Sequence, residues 1–433
     1  MIKKRKINIA YVSQNVSQNV SQNVSFAEVI ICRRHHLKSF DSEDYMNKLT
    51  RPVWVDINLD HLAHNMREVR RVTASKSLVS AVIKADGYGH GALYIAQTLL
   101  DNGADRFAVA TLSEAIQLKN AFKTTEIMVL GYTPNDLIDG AIENDIIQTV
   151  YSYEQADVFS RRAVSLDKTL KVHIKLNTGM RRIGMSISED TVSDILKMSA
   201  LPNLEIEGIF THFAVADEID KTFTIEQVKR FNHIVDAVES RGLKIAIKHV
   251  SNSAAIIDCP EYNFDMVRAG IMLYGLYPSP DVNKRAVDLK EAMSLKANIA
   301  HVKTIQKGEG VSYGHKYVAT ADTQIATIPI GYADGFTRGL TFKAKGIVKG
   351  AIKPIVGRIC MDQCMVEVDG LEIKVGDTIT LFGEADDKII SIDDYADMLG
   401  TINYEIVCMM GKRIPRRYLK NGETVQIVDL ILG

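Results

Sequence analysis

The chain has 433 residues, more than one hydrophobic core usually organises, so two domains are expected unless a large α/β barrel makes a single big unit. Hydrophobic residues make up 46% and charged residues 24%, an ordinary globular composition, and Lys+Arg 52 against Asp+Glu 53 leaves no net field to attract nucleic acid. No run approaches the ~18–20 apolar residues of a membrane span, and the basic start Lys3-Lys4-Arg5-Lys6 has no apolar secretion core behind it, so the expectation is a soluble cytoplasmic protein.

Residues 1–46 differ from the rest. Val12 to Asn23 is three tandem copies of Val-Ser-Gln-Asn, a polar low-complexity tract that buries little surface, and the stretch reads as a disordered extension. Patterned sequence begins at Thr50-Arg51-Pro52-Val53-Trp54-Val55-Asp56, just after Met46, which is a candidate biological start.

From residue 78, short β-branched runs alternate with helical patterns, the signature of parallel β-α units. The runs are 78–85, 106–111, 126–131, 146–152, 170–177, 206–213, 244–252 and 266–275. Helical stretches such as 92–103 and 225–242 lie between them, the latter apolar at Val228, Phe231, Ile234, Val235 and Val238, one face at period 3.6. Eight strands with interposed helices predict a closed β/α barrel of the TIM type over residues 47–288. After Pro280, alternating runs with Gly turns replace long helices, predicting a second, mainly β domain over 289–433. The cysteines (Cys32, Cys259, Cys360, Cys364, Cys408) are odd in number and lack zinc-type CxxC pairs, as in a reduced compartment, and no metal site is expected.

A barrel places its active site at the C-terminal ends of its strands. Lys84 closes the first strand in Ala81-Val82-Ile83-Lys84-Ala85-Asp86-Gly87-Tyr88-Gly89-His90-Gly91. Partial desolvation there lowers an amine's pKa and exposes the neutral nucleophile that a Schiff base needs; a snorkelling or salt-bridged lysine is the plainer alternative. Arg182 follows the fifth strand, His212 ends the sixth, Asn252-Ser253 end the seventh, and Arg268-Ala269-Gly270 lie in the eighth. Barrels often hold a phosphate on the loops after strands 7 and 8, where Ser253-Ala254-Ala255 and Gly270-Ile271 fall. Singly, that serine is an ordinary N-cap, that glycine a packing site and His212 a packed barrel histidine; their joint position favours phosphate.

Together with the lysine segment, Thr211-His212-Phe213-Ala214, Ser251-Asn252-Ser253-Ala254-Ala255, Val311-Ser312-Tyr313-Gly314 and Val356-Gly357-Arg358-Ile359-Cys360-Met361-Asp362-Gln363 resemble the signature blocks of bacterial alanine racemases, in order from about Arg51 to about Arg417. The resemblance implies a pyridoxal 5'-phosphate enzyme of fold type III: an eight-stranded α/β barrel followed by a β domain. It also implies a head-to-tail homodimer whose sites combine one subunit's barrel with the other's β domain. Lys84 would carry the cofactor, Arg268 would meet its pyridine nitrogen, and Tyr88, Ser253, Gly270, Ile271 and Tyr404 would hold its phosphate. Arg182 and Met361 would contact an amino-acid substrate, with Tyr332, Arg358 and Asp217 at the entrance. Lys175 matches a lysine often carbamylated in the family, with an ordinary ion-paired lysine as the alternative.

Racemisation removes a Cα proton from one face and returns one to the other, while the cofactor takes up the electron pair. The resemblance gives the two faces to Lys84 and to Tyr313 of the second subunit, the tyrosine helped by His212 and then Arg268. An arginine donates to the ring nitrogen without giving up its proton, making a weaker electron sink and favouring racemase over aminotransferase chemistry. L- and D-alanine are the expected pair, D-alanine feeding peptidoglycan. A broader racemase of serine or basic amino acids is the alternative. A barrel-type decarboxylase should put an acid at the ring nitrogen, and a small cofactor carrier should lack the β domain.

Overall fold

The computed structural model describes residues 48–432, so the extension expected over 1–46 lies outside the described residues. β1 (Val53–Asn58) leads into α1 (Leu59–Val72), whose start is fixed by the Asn58 side chain accepting from the Asp60 and His61 amides. The face bearing Leu62, Met66 and Val69, spaced for one side of a helix, is buried.

Eight short parallel strands follow: β2 (Leu78–Val82), β3 (Arg106–Val109), β4 (Ile127–Val129), β5 (Gln148–Val150), β6 (Leu170–Lys175), β7 (Leu204–Phe210), β8 (Ile247–His249) and β9 (Met266–Ala269). They pair as β4-β3-β2-β9 and β5-β6-β7-β8. A Met128–Ile147 bridge joins the halves on one side. On the other, the Asp265 and Arg268 amides donate to the Lys248 and Ser251 carbonyls, both at 3.1 Å. The barrel expected from the sequence is therefore present, with its ring in chain order. Its outer helices are α2 (Ala92–Asp101), α3 (Leu112–Ala121), α4 (Ile138–Glu143), α5 (Tyr153–Ser165), α6 (Glu189–Ser199), α7 (Thr222–Ser240) and the short α8 (Ser253–Asp258). In α7 the predicted stripe Val228, Phe231, Ile234, Val235 and Val238 faces inward.

The remaining strands are β10 (Met293–Asn298), β11 (His301–Ile305), β12 (Gly310–Val311), β13 (Tyr317–Val318), β14 (Thr323–Ile328), β15 (Lys345–Val348), β16 (Ala351–Val356), β17 (Cys364–Glu367), β18 (Thr378–Ala385), β19 (Lys388–Ile390), β20 (Arg416–Lys420) and β21 (Glu423–Val428). All but the β12-β13 hairpin belong to one sheet, ordered β11-β14-β17-β16-β15-β18-β10-β1-β20-β21 with β19 on β18. Two short helices, α9 (Ile392–Leu399) and α10 (Asn403–Cys408), interrupt a region expected to be mainly strands.

The sequence reading grouped residues 53–58 with the barrel, but β1 pairs antiparallel with β10 and parallel with β20. Charge explains part of this choice. Asp56, nearly buried, takes both oxygens into hydrogen bonds from Arg417 at 2.7 and 2.9 Å, with Lys296 at 3.3 Å. A carboxylate inside a sheet is tolerable where cations surround it.

Candidate active site

Lys84 does not close its strand. β2 stops at Val82, and Ala85, Asp86, Gly87, Tyr88 and Gly89 all take positive φ, from 52° to 79°. This left-handed turn is held by the Gly87 amide on the Ile83 carbonyl (2.9 Å), the Gly89 amide on Ala85 (3.0 Å) and the Gly91 amide on Asp86 (2.8 Å). The Ala85 amide donates to Glu114, whose other oxygen takes the Ala110 and Thr111 amides, tying the turn to the end of β3. The amine of Lys84 reaches back to 5.9 Å from the Tyr88 ring centroid. Its pKa is lowered by burial and then by the Arg182 charge.

Arg268, on β9, is 3% exposed. Its Nη1 donates to His249 Nδ1 (2.8 Å) and the His249 carbonyl (3.1 Å), while Nη2 donates to the Thr211 (2.8 Å) and Val250 (2.9 Å) carbonyls. Among the described residues Nε has no acceptor, and no carboxylate touches the guanidinium. Burial pushes its pKa down to about 9, so it stays cationic at neutral pH. His212 lies two residues beyond β7, its Nδ1 3.5 Å from Nη2 of Arg268. Since a guanidinium only donates, Nδ1 is bare and Nε2 carries the proton. Burial, then the charges of Lys175, Arg268, Arg182 and Lys84, keep that imidazole neutral by lowering its pKa well below 6.5.

Asn252 caps α8, and Ser253 Oγ accepts from the Gly270 amide at 2.9 Å and the Met272 amide at 3.5 Å. A Cβ on Gly270 would stand 3.2 Å from the Tyr88 hydroxyl and 3.6 Å from Ser253 Oγ. The hydrogen-bearing group of glycine thus leaves a small hollow walled by two hydroxyls. Neither the Tyr88 nor the Tyr404 hydroxyl has a hydrogen-bond partner among the described residues, and their rings lie 6.2 Å apart. Burial raises both phenol pKa values, so both remain donors. With Ile271 heading the next turn, this corner fits an anion, and the free Nε of Arg268 fits a ring acceptor.

Lys175 ends β6 with its ammonium 4.3 Å from the Phe210 ring centroid. Among the described residues no carboxylate pairs with it, and burial followed by the Arg268 and Arg182 charges lowers its pKa far below 10.5. Arg182 is exposed nearby and Asp217 lies beside Tyr404.

Tyr313, Met361, Tyr332 and Arg358 gather elsewhere. A cleft of about 730 Å³ in the β domain is lined by Tyr313, Gly314, His315, Met361, Asp362 and Gln363. Ser312, with φ 66°, donates to the Arg358 carbonyl at 2.6 Å and turns Tyr313 outward, 72% exposed. Gly331 packs where any Cβ would come within 2.4 Å of the Cys360 and Met361 carbonyls, setting Tyr332 beside Met361. Within one chain no hydrogen bond or ring contact joins Tyr313 to Lys84, His212 or Arg268 among the described residues, so the expected Tyr313-His212-Arg268 chain is complete only from His212 onward.

The sequence reading missed His249, His173 and Glu207, which extend inward from Arg268. Their only signal was polar residues at inward positions of apolar strands.

Two families match the chain: Alanine racemase, N-terminal domain, over residues 57–278, and Alanine racemase, C-terminal domain, over 292–418. Alanine racemase 1 of Clostridium acetobutylicum is 48% identical over 382 residues, covering 88% of this chain and 99% of that protein. The solved alanine racemase of Clostridium difficile 630 superposes with a TM-score of 0.85 at 46% identity, covering 89% of this chain and 100% of the other. The histidine racemase of Leuconostoc mesenteroides subsp. sake also superposes, at TM-score 0.80 and 30% identity, over 87% of this chain and 100% of that one. With both domains matched in order and nearly half the residues shared along almost all the described chain, the chain belongs to the alanine racemase family, isomerases that interconvert the two alanine enantiomers.

Proposed function

We propose that the enzyme works on alanine with pyridoxal 5'-phosphate held at the mouth of the barrel, in a head-to-tail homodimer. The observation that carries the cofactor assignment is the guanidinium of Arg268, with both Nη atoms engaged by protein acceptors and Nε left as a donor. Lys84 would hold the cofactor through its amine, with Ser253, Gly270, Ile271, Tyr88 and Tyr404 around the phosphate. When bound, the cofactor supplies a sink for the electron pair left by the departing Cα proton.

The chain's own groups supply the rest. Lys84, its pKa lowered by burial, takes and returns the proton on one face. Tyr313 of a second copy serves the other face, its phenolic oxygen accepting from the Nε2–H of His212. The exposed guanidinium of Arg182 suits a substrate carboxylate, with Met361 of the second copy limiting side-chain size. Burial, which lowers the pKa of Lys175, favours the neutral amine; we assign it a carbamate, formed by attack of that amine on CO2 with loss of one proton, that orients Arg182, and native mass spectra in bicarbonate should gain one CO2 that Lys175→Ala lacks. In the cell, a cytoplasmic enzyme would supply D-alanine to peptidoglycan.

Conversion of L- to D-alanine with pyridoxal phosphate present, followed by circular dichroism beside Lys84→Ala, tests this. Conversion by the parent and loss in the variant are expected; a parent without activity, or an unaffected variant, would sink it. Serine, histidine and basic amino acids in the same assay measure breadth.

A further inference from the structure

The barrel interior behind Arg268 contains a line of titratable groups that the reaction just described does not use. His249 Nε2 lies 2.8 Å from His173 Nδ1, and His173 Nε2 lies 2.7 Å from Glu207 Oε2. Glu207 also takes Arg106 Nη1 at 2.9 Å and Lys171 Nζ at 3.3 Å, and both cations share Glu126. Both imidazoles are 0% exposed.

The direction of every bond in this line follows from its two ends. A guanidinium can only donate, so His249 Nδ1, 2.8 Å from Arg268 Nη1, is bare and its proton sits on Nε2. That Nε2–H points at His173 Nδ1, which must then be bare as well, leaving His173 Nε2–H to donate to Glu207. A carboxylate can only accept, so the far end agrees with the near one. An imidazolium at either position would set N–H against N–H, and burial lowers both histidine pKa values. Burial pushes Glu207 up, but the His173 hydrogen bond and the Arg106 charge hold it down at about 2.

The surroundings are shaped to this line. Phe210 stacks on His249 with centroids 4.7 Å apart and planes 8° apart. Gly208 makes room for His173, because a Cβ there would stand 2.5 Å from the ring. The β6-β7 register also shifts between Val172 and His173.

We propose that His249, His173 and Glu207 are positioning residues for Arg268: a chain of fixed tautomers that ties Nη1 to a buried carboxylate, leaves Nε as the N–H offered to the cofactor ring, and keeps the guanidinium cationic. This rests on the assignment of the ring nitrogen to Arg268 made above. Neutral hydrogen-bonded partners of this kind tune a site from behind its contacting groups, as outer partners do for metal-bound imidazoles.

Two measurements test it. Neutron diffraction from the deuterated full chain should place deuterium on Nε2 and none on Nδ1 of both His249 and His173; deuterium on either Nδ1 overturns the proposal without any variant being made. Second, Glu207→Gln in the pyridoxal-phosphate-loaded enzyme should shift the absorption band of the bound cofactor and lower kcat about tenfold in both directions, with KM for alanine nearly unchanged. Glu207→Asp, which keeps the charge, should recover most of both. A folded Glu207→Gln enzyme with parental kcat and an unmoved band overturns the positioning role. Failure of the parent to bind the cofactor or racemise alanine would instead strike the earlier assignment, so the two failures are distinguishable.

Discussion

Among single residues, the buried histidines carry the clearest physical consequence. His173 and His249 are neutral in the fold with pKa values below the ordinary 6.5, so the unfolded chain binds more protons than the native one once the pH drops under 6.5. Stability is fully present above that value and drains away below it. Glu207 acts with the same sign: held at about 2 against an ordinary 4.5, it stabilises above 4.5 and loses that contribution as the pH falls toward 2. The melting temperature should therefore fall steadily on acidification from neutrality, and Glu207→Gln should flatten the lower part of that fall; a melting temperature level from pH 7 to 4.5 would contradict the histidine sign, and one level from pH 4.5 to 3 the glutamate sign. These residues were illegible in the sequence for a simple reason. Leu204-Glu205-Ile206-Glu207 reads as strand alternation, yet Glu205 meets water while Glu207 meets Arg106 and His173. Lys84, Ser253 and Arg268 stand out in the sequence as candidates because chemistry collects where barrel strands end, and all three lie at or just beyond such strands.

At the level of elements, the left-handed turn after β2 governs where Lys84 sits. Left-handed backbone costs an L-residue ~1–2 kcal/mol, so three non-glycine residues there need support from outside. Glu114 holds the Ala85 amide, and the β domain closes on the end of the turn. Val407 O of α10 would be 2.3 Å from a Cβ on Gly89, Arg416 Nε donates to the Gly89 carbonyl at 3.4 Å, and the Tyr418 hydroxyl donates to the His90 carbonyl at 3.0 Å. Gly89→Ala should therefore cost roughly 3 kcal/mol and weaken cofactor retention, because the turn and α10 carry Lys84 and Tyr404 respectively. Thermal melts and cofactor titration check this; unchanged values in both would show that the turn yields without consequence. The sequence placed the glycines but not the handedness of the turn, since a strand pattern running to Lys84 and one stopping at Val82 differ only in backbone φ.

For the molecule as a whole, the candidate residues fall into two groups. Lys84, His212 and Arg268 stand at the barrel mouth, and Tyr313 and Met361 line the β-domain cleft. In a head-to-tail dimer each site would take one group from each copy. Lys84→Ala and Tyr313→Phe chains, inactive alone, should then complement each other: every mixed dimer has one intact site, so random reassortment restores about a quarter of the sites. Recovery no greater than the two variants' summed residual activity would count against shared sites. The order of domains was readable from hydrophobic periodicity, but not the sheet that β1 joins, because alternation shows that a strand has a buried face without showing which neighbours cover it.

That placement of β1 has a consequence in time. The strand is among the first described segments to leave the ribosome, while its parallel neighbour β20 is among the last. Asp56 and its partner Arg417 are separated by 361 residues. At synthesis rates of ~5–20 residues per second, Val53–Asn58 waits roughly 20–70 s for that neighbour. The barrel can assemble during the wait and β10 can cover one edge of β1, but the other edge stays open until translation is nearly over.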